Sequence, residues 1–356
     1  MTTTTPRIGL ALSGGGFRAT AFGLGALRAL YDLDLLRYVR AVSGISGGSL
    51  LTALWAYGPA NFHEFDAGVT ALLRGGLQGE LLLRALSPAD VLRSATSSAA
   101  GVLPHGPARF SRTEALVAAL RARGLDVPMT SVTSQAMDVV ISATDLATGN
   151  AVRFGSRVSS SSPHGVIRET VAVADAVAAS AAFPLLLPAL VRDFTFERAD
   201  ASTHKRRVSL TDGGVYDNLG ITPLLPNRSA QHTSHVYDLD YLVAVDAGRG
   251  RMERRPARFL SGRLQQTLEI SHGRVQDGSR SQLHSVRAGS AVLGYAHIYL
   301  GTKDNQLPPL ADLVPRAAIE KYPTNFAAMS QEALAAITIR GEQIARLVIA
   351  QHLPGL

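Results

Sequence analysis

The chain has 356 residues, of which 46% are hydrophobic and 6% aromatic, enough to bury a substantial core and better suited to helices packed on a sheet than to an all-β sandwich. It contains no cysteine, which excludes disulfides, thiolate metal sites and cysteine nucleophiles and leaves catalysis to oxygen or nitrogen groups. The formal charge of +7 favours anionic surfaces, phospholipid membranes or nucleic acid, without choosing between them.

Residues 1–6 are threonine-rich and lack the basic and apolar segments of a signal peptide, so a cytoplasmic chain is expected. Residues 7–13 (RIGLALS) form a short apolar run, three glycines break it, and residues 17–31 follow with helical spacing of Phe22, Leu24, Leu27 and Leu30. The same grammar repeats: 38–43 (YVRAVS) as strand, 44–48 as glycine turn, 49–57 as apolar helix. Two strand–turn–helix units in succession predict a parallel sheet.

Residues 61–128 read as helices with loop breaks, including a capping box at Ser111-Arg112-Thr113-Glu114, and suit a cap over a site. Further buried strands are expected at 137–144, 208–211 and 241–245, with a loop at 159–163. The apolar stretch 171–191 is long enough to cross a membrane but carries Asp175, Ser180, Pro184 and Pro188. A buried helix followed by an extended segment is the expectation there.

Arg249, Arg251, Arg254, Arg255, Arg258 and Arg263, with Phe259 and Leu260 among them, form a basic segment that reads as a peripheral contact with an anionic membrane surface or as a solvated arginine face. Residues 331–353 predict a terminal amphipathic helix with Leu334, Ile337, Ile344, Leu347 and Val348 buried. No solenoid-length repeat and no linker divides the chain. A single catalytic domain over 1–356 is expected, with its core at about 7–248, a helical cap at 61–128 and a C-terminal helical extension at 249–356.

Gly44-Ile45-Ser46-Gly47-Gly48 has the G-x-S-x-G form, whose glycines permit a sharp strand-to-helix turn that lifts a serine hydroxyl clear of the backbone. A nucleophilic serine needs donors where negative charge develops, and the N–H groups of Gly14, Gly15 and Gly16 at a helix start can supply them. The competing reading of that loop is a phosphate turn for a nucleotide. It lacks the register of G-x-G-x-x-G and the Lys-Ser/Thr of a P-loop. The serine also needs a base, and Asp212, in Leu210-Thr211-Asp212-Gly213-Gly214 at a strand end, offers a carboxylate.

Ser13-Gly-Gly-Gly-Phe-Arg18, Gly44-Ile-Ser-Gly-Gly48 and Asp212-Gly-Gly214 resemble, in order and spacing, the three signature blocks of the patatin-like phospholipase family. Ala143-Thr144-Asp145-Leu146 with Thr148-Gly149, and Ala179-Ser180-Ala181-Ala182-Phe183-Pro184, are similar to segments between serine and aspartate in bacterial members, so the resemblance spans about 7–248. It implies a three-layer α/β/α fold with a mostly parallel central sheet and helical additions. It also implies Ser46 as nucleophile, Asp212 as its dyad partner, the amides of Gly14, Gly15 and Gly16 as oxyanion hole, and cleavage of phospholipid or other acyl-lipid esters with no metal or cofactor. Phe17-Arg18-Ala19 departs from the plant pattern, which has glycine after the arginine, and is closer to the cytosolic phospholipase branch; there the matching arginine is associated with substrate phosphate, which makes Arg18 a candidate headgroup contact.

Asp246-Ala247-Gly248 also resembles an Asp-small-Gly pattern, but the Asp212 block alone continues into Val215-Tyr216-Asp217-Asn218-Leu219-Gly220, similar to the family's extension. The histidines, His232 and His235 among them, read as surface residues without metal-ligand spacing. One alternative is a Ser-His acyltransferase of related fold using His272, His284 or His297. Another is a catalytically silent lipid-binding or effector protein. No motif for nucleic acid accompanies the charge, and a protein activator is left open.

Overall fold

Two strand–turn–helix units lie side by side at the start of the chain. In the computed structural model, which describes residues 5–85, 111–133, 137–184, 186–250, 255–288 and 291–356, β1 (Ile8–Leu12) leads into α1 (Gly16–Asp32), and β2 (Val39–Gly44) into α2 (Gly47–Ala56). β1 is buried along its whole length because it runs between two parallel neighbours, β2 and β9 (Tyr241–Asp246). That position explains its unbroken apolar run.

Leu10, Leu12, Val243 and Val245 point into one hydrophobic cluster with Phe17, Leu24 and Leu27 of α1. Ala11, Leu242 and Ala244 point the other way, into a second cluster with Leu283 and Val286 of a 29-residue helix, α8 (Leu260–Ala288). The period of two along each strand thus separates two cores on opposite faces of one sheet, each covered by helix.

The sheet order is β10-β9-β1-β2-β3-β4-β5-β6-β7-β8 among the described residues, with an additional β3–β8 pairing. β10 (Gly294–Tyr299), β9, β1, β2 and β3 (Asp138–Asp145) are mutually parallel. From β3 onward every pairing is antiparallel, through β4 (Ala151–Gly155), β5 (Ser160–Ser161), β6 (Gly165–Ile167), β7 (Leu190–Glu197) and β8 (Thr203–Thr211). Thr144 then pairs with Thr211 and closes this half on itself.

The expectation of a mostly parallel sheet is therefore corrected: it describes five strands, and an antiparallel closed half adjoins them. The connections 146–150, 156–159, 162–164 and 198–202 are too short for the crossover that parallel strands need. The segment 159–163, read as loop, contains β5, and the extension after 249, read as helical, contains β10.

The stretch 171–191 folds as α6 (Val173–Ser180) followed by extended chain into β7, and among the described residues no helix is long and apolar enough to cross a membrane. The expected cap contributes α3 (Phe62–Gly75), α4 (Gln78–Ala85) and α5 (Arg112–Leu120), while residues 86–110 of it lie outside the described residues. Ser111 Oγ accepts from the Glu114 amide as a cap should. The Glu114 carboxylate does not complete the box but binds Arg192 at 2.6 Å.

α7 (Gly214–Asp217) and α9 (Arg316–Ile319) are single turns, and α10 (Gln331–His352) is the predicted terminal helix. It lies against α1 at backbone contact: a Cβ on Gly25 would sit 2.0 Å from the Thr338 carbonyl oxygen, and one on Gly341 2.4 Å from that of Phe22. Leu334, Ile337 and Ile344 are buried as expected, whereas Leu347 and Val348 are half-buried and Ala345 and Ile349 take the inward positions.

Candidate active site

Between β2 and α2 the chain turns through Ser46, whose φ of +50° and ψ of −118° are unusual for a residue with a side chain. Such a conformation costs about 1–3 kcal/mol and persists only where its surroundings impose it. Here they do. The Ile45 amide donates to the Leu12 carbonyl at 3.0 Å, the Gly48 amide to that of Ile45 at 2.7 Å, and the Ser46 amide to Ser180 Oγ at 2.9 Å.

The glycines of this turn are dictated by crowding. A Cβ on Gly47 would lie 2.0 Å from the Gly16 carbonyl oxygen, and one on Gly48 2.2 Å from that of Leu12. The serine turn and the glycine loop after β1 are therefore in backbone contact, and Ser46 itself is buried to 7% exposure.

Asp212 follows β8, where the closing β3–β8 pairing brings the end of that strand beside β3. Its carbonyl accepts from Thr144 Oγ1 at 3.0 Å, its amide donates to the Ala182 carbonyl at 3.0 Å, and the Gly213 amide donates to the Ser180 carbonyl at 3.2 Å. Its carboxylate accepts from the Gly214 amide at 2.7 Å and from the Ser46 side chain. Burial pushes its pKa up to about 6, against the opposing pull of those two hydrogen bonds. The result is a carboxylate in contact with a serine hydroxyl, basic enough to take a proton near neutral pH.

The three glycine amides are not equivalent. Gly14 donates to the Asn218 carbonyl at 2.9 Å, which removes it from the expected set of three oxyanion donors. Phe17 is likewise engaged, by the Asn325 carbonyl at 2.9 Å. Between them Gly15 (φ +144°) and Gly16 (φ +58°) turn the chain into α1, and neither amide has an acceptor among the described residues. Free N–H groups at the start of a 17-residue helix, touching the serine turn, make an anion site.

Arg18 is buried, and its guanidinium spans three segments of chain. Nε donates to the Ala247 carbonyl at 3.1 Å, and Nη1 to the Tyr322 carbonyl and to Thr324 Oγ1, both at 2.9 Å. Nη2 lies beside the glycine loop, 3.0 Å from where a Gly15 Cβ would stand. Burial and the nearby Arg249 hold its pKa below the ordinary arginine value.

Asp246 also ends a strand and also accepts from the amide two residues on, Gly248, at 2.8 Å. Its other partners differ: Gln276 Nε2 at 2.9 Å, Arg280 Nε at 2.7 Å and His297 Nε2 at 3.1 Å. Burial alone would raise its pKa, but the hydrogen bond from His297 and the charge of Arg280 hold it well below the usual carboxylate range. This carboxylate is a saturated ion-pair centre.

The three late histidines separate accordingly. His297 binds Asp246 and lies 3.3 Å from His284, while His272 hydrogen-bonds to the backbone of Gly214 and packs on Phe183 at a ring distance of 6.2 Å. Burial lowers the pKa of His272, partly offset by that bond, and keeps it neutral. His235, read from sequence as a surface residue, is instead buried between Ser160 and Tyr237 with its pKa pushed down to about 3 by burial and by Arg153 and Arg228; His232 is exposed.

Sequence reasoning quoted the segment containing Ser180 without assigning it a contact, and quoted Asn218 without seeing that its carbonyl takes the Gly14 amide. Both sit in blocks whose similarity to the family was legible. Their hydrogen bonds, made across 134 and 204 positions, were not.

Residues 10–225 match the family model for patatin-like phospholipase, more than half of the chain and including Ser46, Asp212 and the glycine loop. No curated protein sequence matches. Among solved structures, human GIVD cytosolic phospholipase A2 superposes with a TM-score of 0.56 at 14% identity, over 96% of this chain and 61% of that one. The same human enzyme in complex with methyl gamma-linolenyl fluorophosphonate gives 0.55 at 15% identity, over 96% and 57%. VipD from Legionella pneumophila gives 0.44 at 15% identity, over 98% and 67%. At such identities the human structures are evidence for fold, and this chain spans less than two thirds of their length.

Proposed function

The chain belongs to the patatin-like phospholipase family, and from that premise we propose that it is a serine lipid acyl hydrolase of phospholipase A or lysophospholipase type, working through a Ser46–Asp212 dyad. The observation that carries the reading is the hydrogen bond between the Ser46 side chain and a buried Asp212 whose pKa is raised to about 6. Asp212 takes the hydroxyl proton as Ser46 Oγ attacks the ester carbonyl. The tetrahedral oxyanion is received by the Gly15 and Gly16 amides, where losing one such donor typically slows reaction ~100- to 1000-fold.

Collapse of that intermediate expels the alcohol, which takes the proton from Asp212 and leaves an acyl-serine. Asp212 then removes a proton from water, whose attack releases the fatty acid and restores the serine. Arg18 braces the glycine loop through Ala247, Tyr322 and Thr324, and its Nη2 is the part of the guanidinium left for a substrate phosphate. The Ser-His alternative loses support from the positions of the late histidines, since His272 engages Gly214 and the other two belong to the Asp246 network.

The test is labelling of the purified protein and of Ser46→Ala with an alkyl fluorophosphonate, the inhibitor class printed for the human structure, followed by mass spectrometry. Label on Ser46 that vanishes in the variant is the expected result. A folded protein that takes no label would overturn the hydrolase reading in favour of a catalytically silent lipid-binding protein.

A further inference from the structure

Helix α8 is polarised, with its polar inward face and its apolar outward face reversed from the usual arrangement. His272, Gln276, Ser279 and Leu283 recur at helical spacing and face the protein: His272 on Gly214, Gln276 on Asp246, Ser279 on Asp217 at 2.9 Å, and Leu283 in the second core. On the opposite side of the same helix Leu260, Leu264 and Ile270 are 65%, 62% and 66% exposed, and Phe259 just before it is 78% exposed. A helix normally turns such residues to the core, and an apolar face left in solvent marks a surface that something else covers.

The same stretch carries Arg255, Arg258, Arg263 and Arg274, all exposed, against one acidic residue, Glu269, between 255 and 274. Large apolar side chains alternating with guanidinium groups on one helical face match the boundary of an anionic bilayer, where the apolar groups enter the acyl region and the cations lie with the phosphates. The formal charge of +7 draws the whole molecule to the same kind of surface. Of the basic segment singled out from the sequence, Arg251 and Arg254 lie outside the described residues, and the surface stands without them.

We propose that the outward face of α8, built from Phe259, Leu260, Leu264 and Ile270 with Arg255, Arg258, Arg263 and Arg274, docks on an anionic phospholipid bilayer and sets the dyad beside it. The proposal rests on the hydrolase reading for its purpose. His272, two positions from Ile270 and turned inward, contacts Gly214, whose amide holds the Asp212 carboxylate. The docking face and the catalytic aspartate are therefore one helix thickness apart, so a lipid drawn from the bilayer at this edge starts next to Ser46.

Binding is measured on Ser46→Ala, which cannot turn over substrate, by co-sedimentation with vesicles of phosphatidylcholine and of phosphatidylcholine with phosphatidylserine. The expected result is binding to the phosphatidylserine vesicles that weakens at least tenfold on adding Leu264→Ser with Ile270→Ser. Arg263→Glu with Arg274→Glu should weaken it by tenfold or more as well, and should flatten the salt dependence, since each basic residue near an anionic surface contributes about 1 kcal/mol. Unchanged thermal midpoints show that these exposed substitutions leave the fold intact.

Three results would overturn the proposal: no sedimentation with either vesicle, binding indifferent to both pairs of substitutions, or a dimer in gel filtration that Leu264→Ser with Ile270→Ser dissolves. The last would make the face a contact between copies of this chain. Because Ser46→Ala is inert, failure to dock leaves the fluorophosphonate result untouched, and failure to label leaves the docking result untouched.

Discussion

Ser180 Oγ accepts the amide hydrogen of Ser46 at 2.9 Å, while the carbonyl of the same Ser180 accepts that of Gly213 at 3.2 Å. One fully buried residue at the end of α6 thus holds both halves of the dyad, the strained serine turn and the loop carrying Asp212. Removing the hydroxyl leaves the Ser46 amide unpaired in the interior, a loss of about 1–3 kcal/mol. Ser180→Ala is expected to lower both the thermal midpoint and kcat on a short nitrophenyl ester, with KM nearly unchanged, because the serine rather than substrate binding is displaced. A variant that matches wild type in kcat would show that the turn holds itself.

Asp212→Asn should reduce turnover ~100-fold or more, the scale of a lost general base. The wild-type rate should rise with pH through about 6, where the Asp212 carboxylate ionises, and level off above it. Stability runs the other way. A carboxyl whose native pKa is raised holds its proton more tightly when folded, so stability is highest below the unfolded value and falls as pH climbs from about 4 to about 6. Asp212→Asn is therefore expected to melt higher than wild type at pH 8, and an inactive variant that melts lower would discredit the burial argument.

Asp246→Asn should do the reverse. It leaves Arg280 and His297 around a neutral group, and breaking one side of a buried pair costs about 3–5 kcal/mol. The expected signature is a large drop in thermal midpoint with fluorophosphonate label still arriving at Ser46 in the folded fraction. The native pKa of Asp246 is depressed, so its contribution is present above the usual carboxylate range and disappears as the solution is acidified below it.

Arg18→Ala is expected to reduce hydrolysis of a phospholipid and of a neutral nitrophenyl ester to a similar degree, with a lower thermal midpoint, because most of its hydrogen bonds brace chain segments. A loss confined to the phospholipid would assign Nη2 to the substrate phosphate.

His272→Ala is expected to cost less than ~10-fold in kcat, the effect of loosening a group that touches Gly214. A loss approaching the ~100-fold of a missing base would transfer the proton from Asp212 to the imidazole and revive the Ser-His alternative.

The local pieces of the site were legible in the sequence because they are enforced by contacts within a turn. Gly47 and Gly48 stand where a Cβ would meet backbone 2.0 and 2.2 Å away, so glycine at those positions announces the turn, and the apolar runs on either side announce strand and helix. The terminal helix was legible for the same reason, its period marking the side that meets α1. The closed antiparallel half was harder to read, since β8 begins with THKRR on a partly exposed surface and β5 has two residues.

The sequence by itself determined where the serine, the two aspartates and the glycine loop fall and what backbone each occupies. Asp212 and Asp246 look alike at that level: each ends a strand, each precedes a small residue and a glycine, and each accepts an amide hydrogen from two positions on, at 2.7 and 2.8 Å. Only the tertiary structure decided that one meets the Ser46 hydroxyl and the other Arg280 and His297. It decided likewise that Gly14 donates to Asn218 while Gly15 and Gly16 stay open, and that α8 turns its leucines to solvent. Turn geometry is set by neighbours in sequence, whereas proton affinity, free donors and exposed faces are set by groups that arrive from far along the chain.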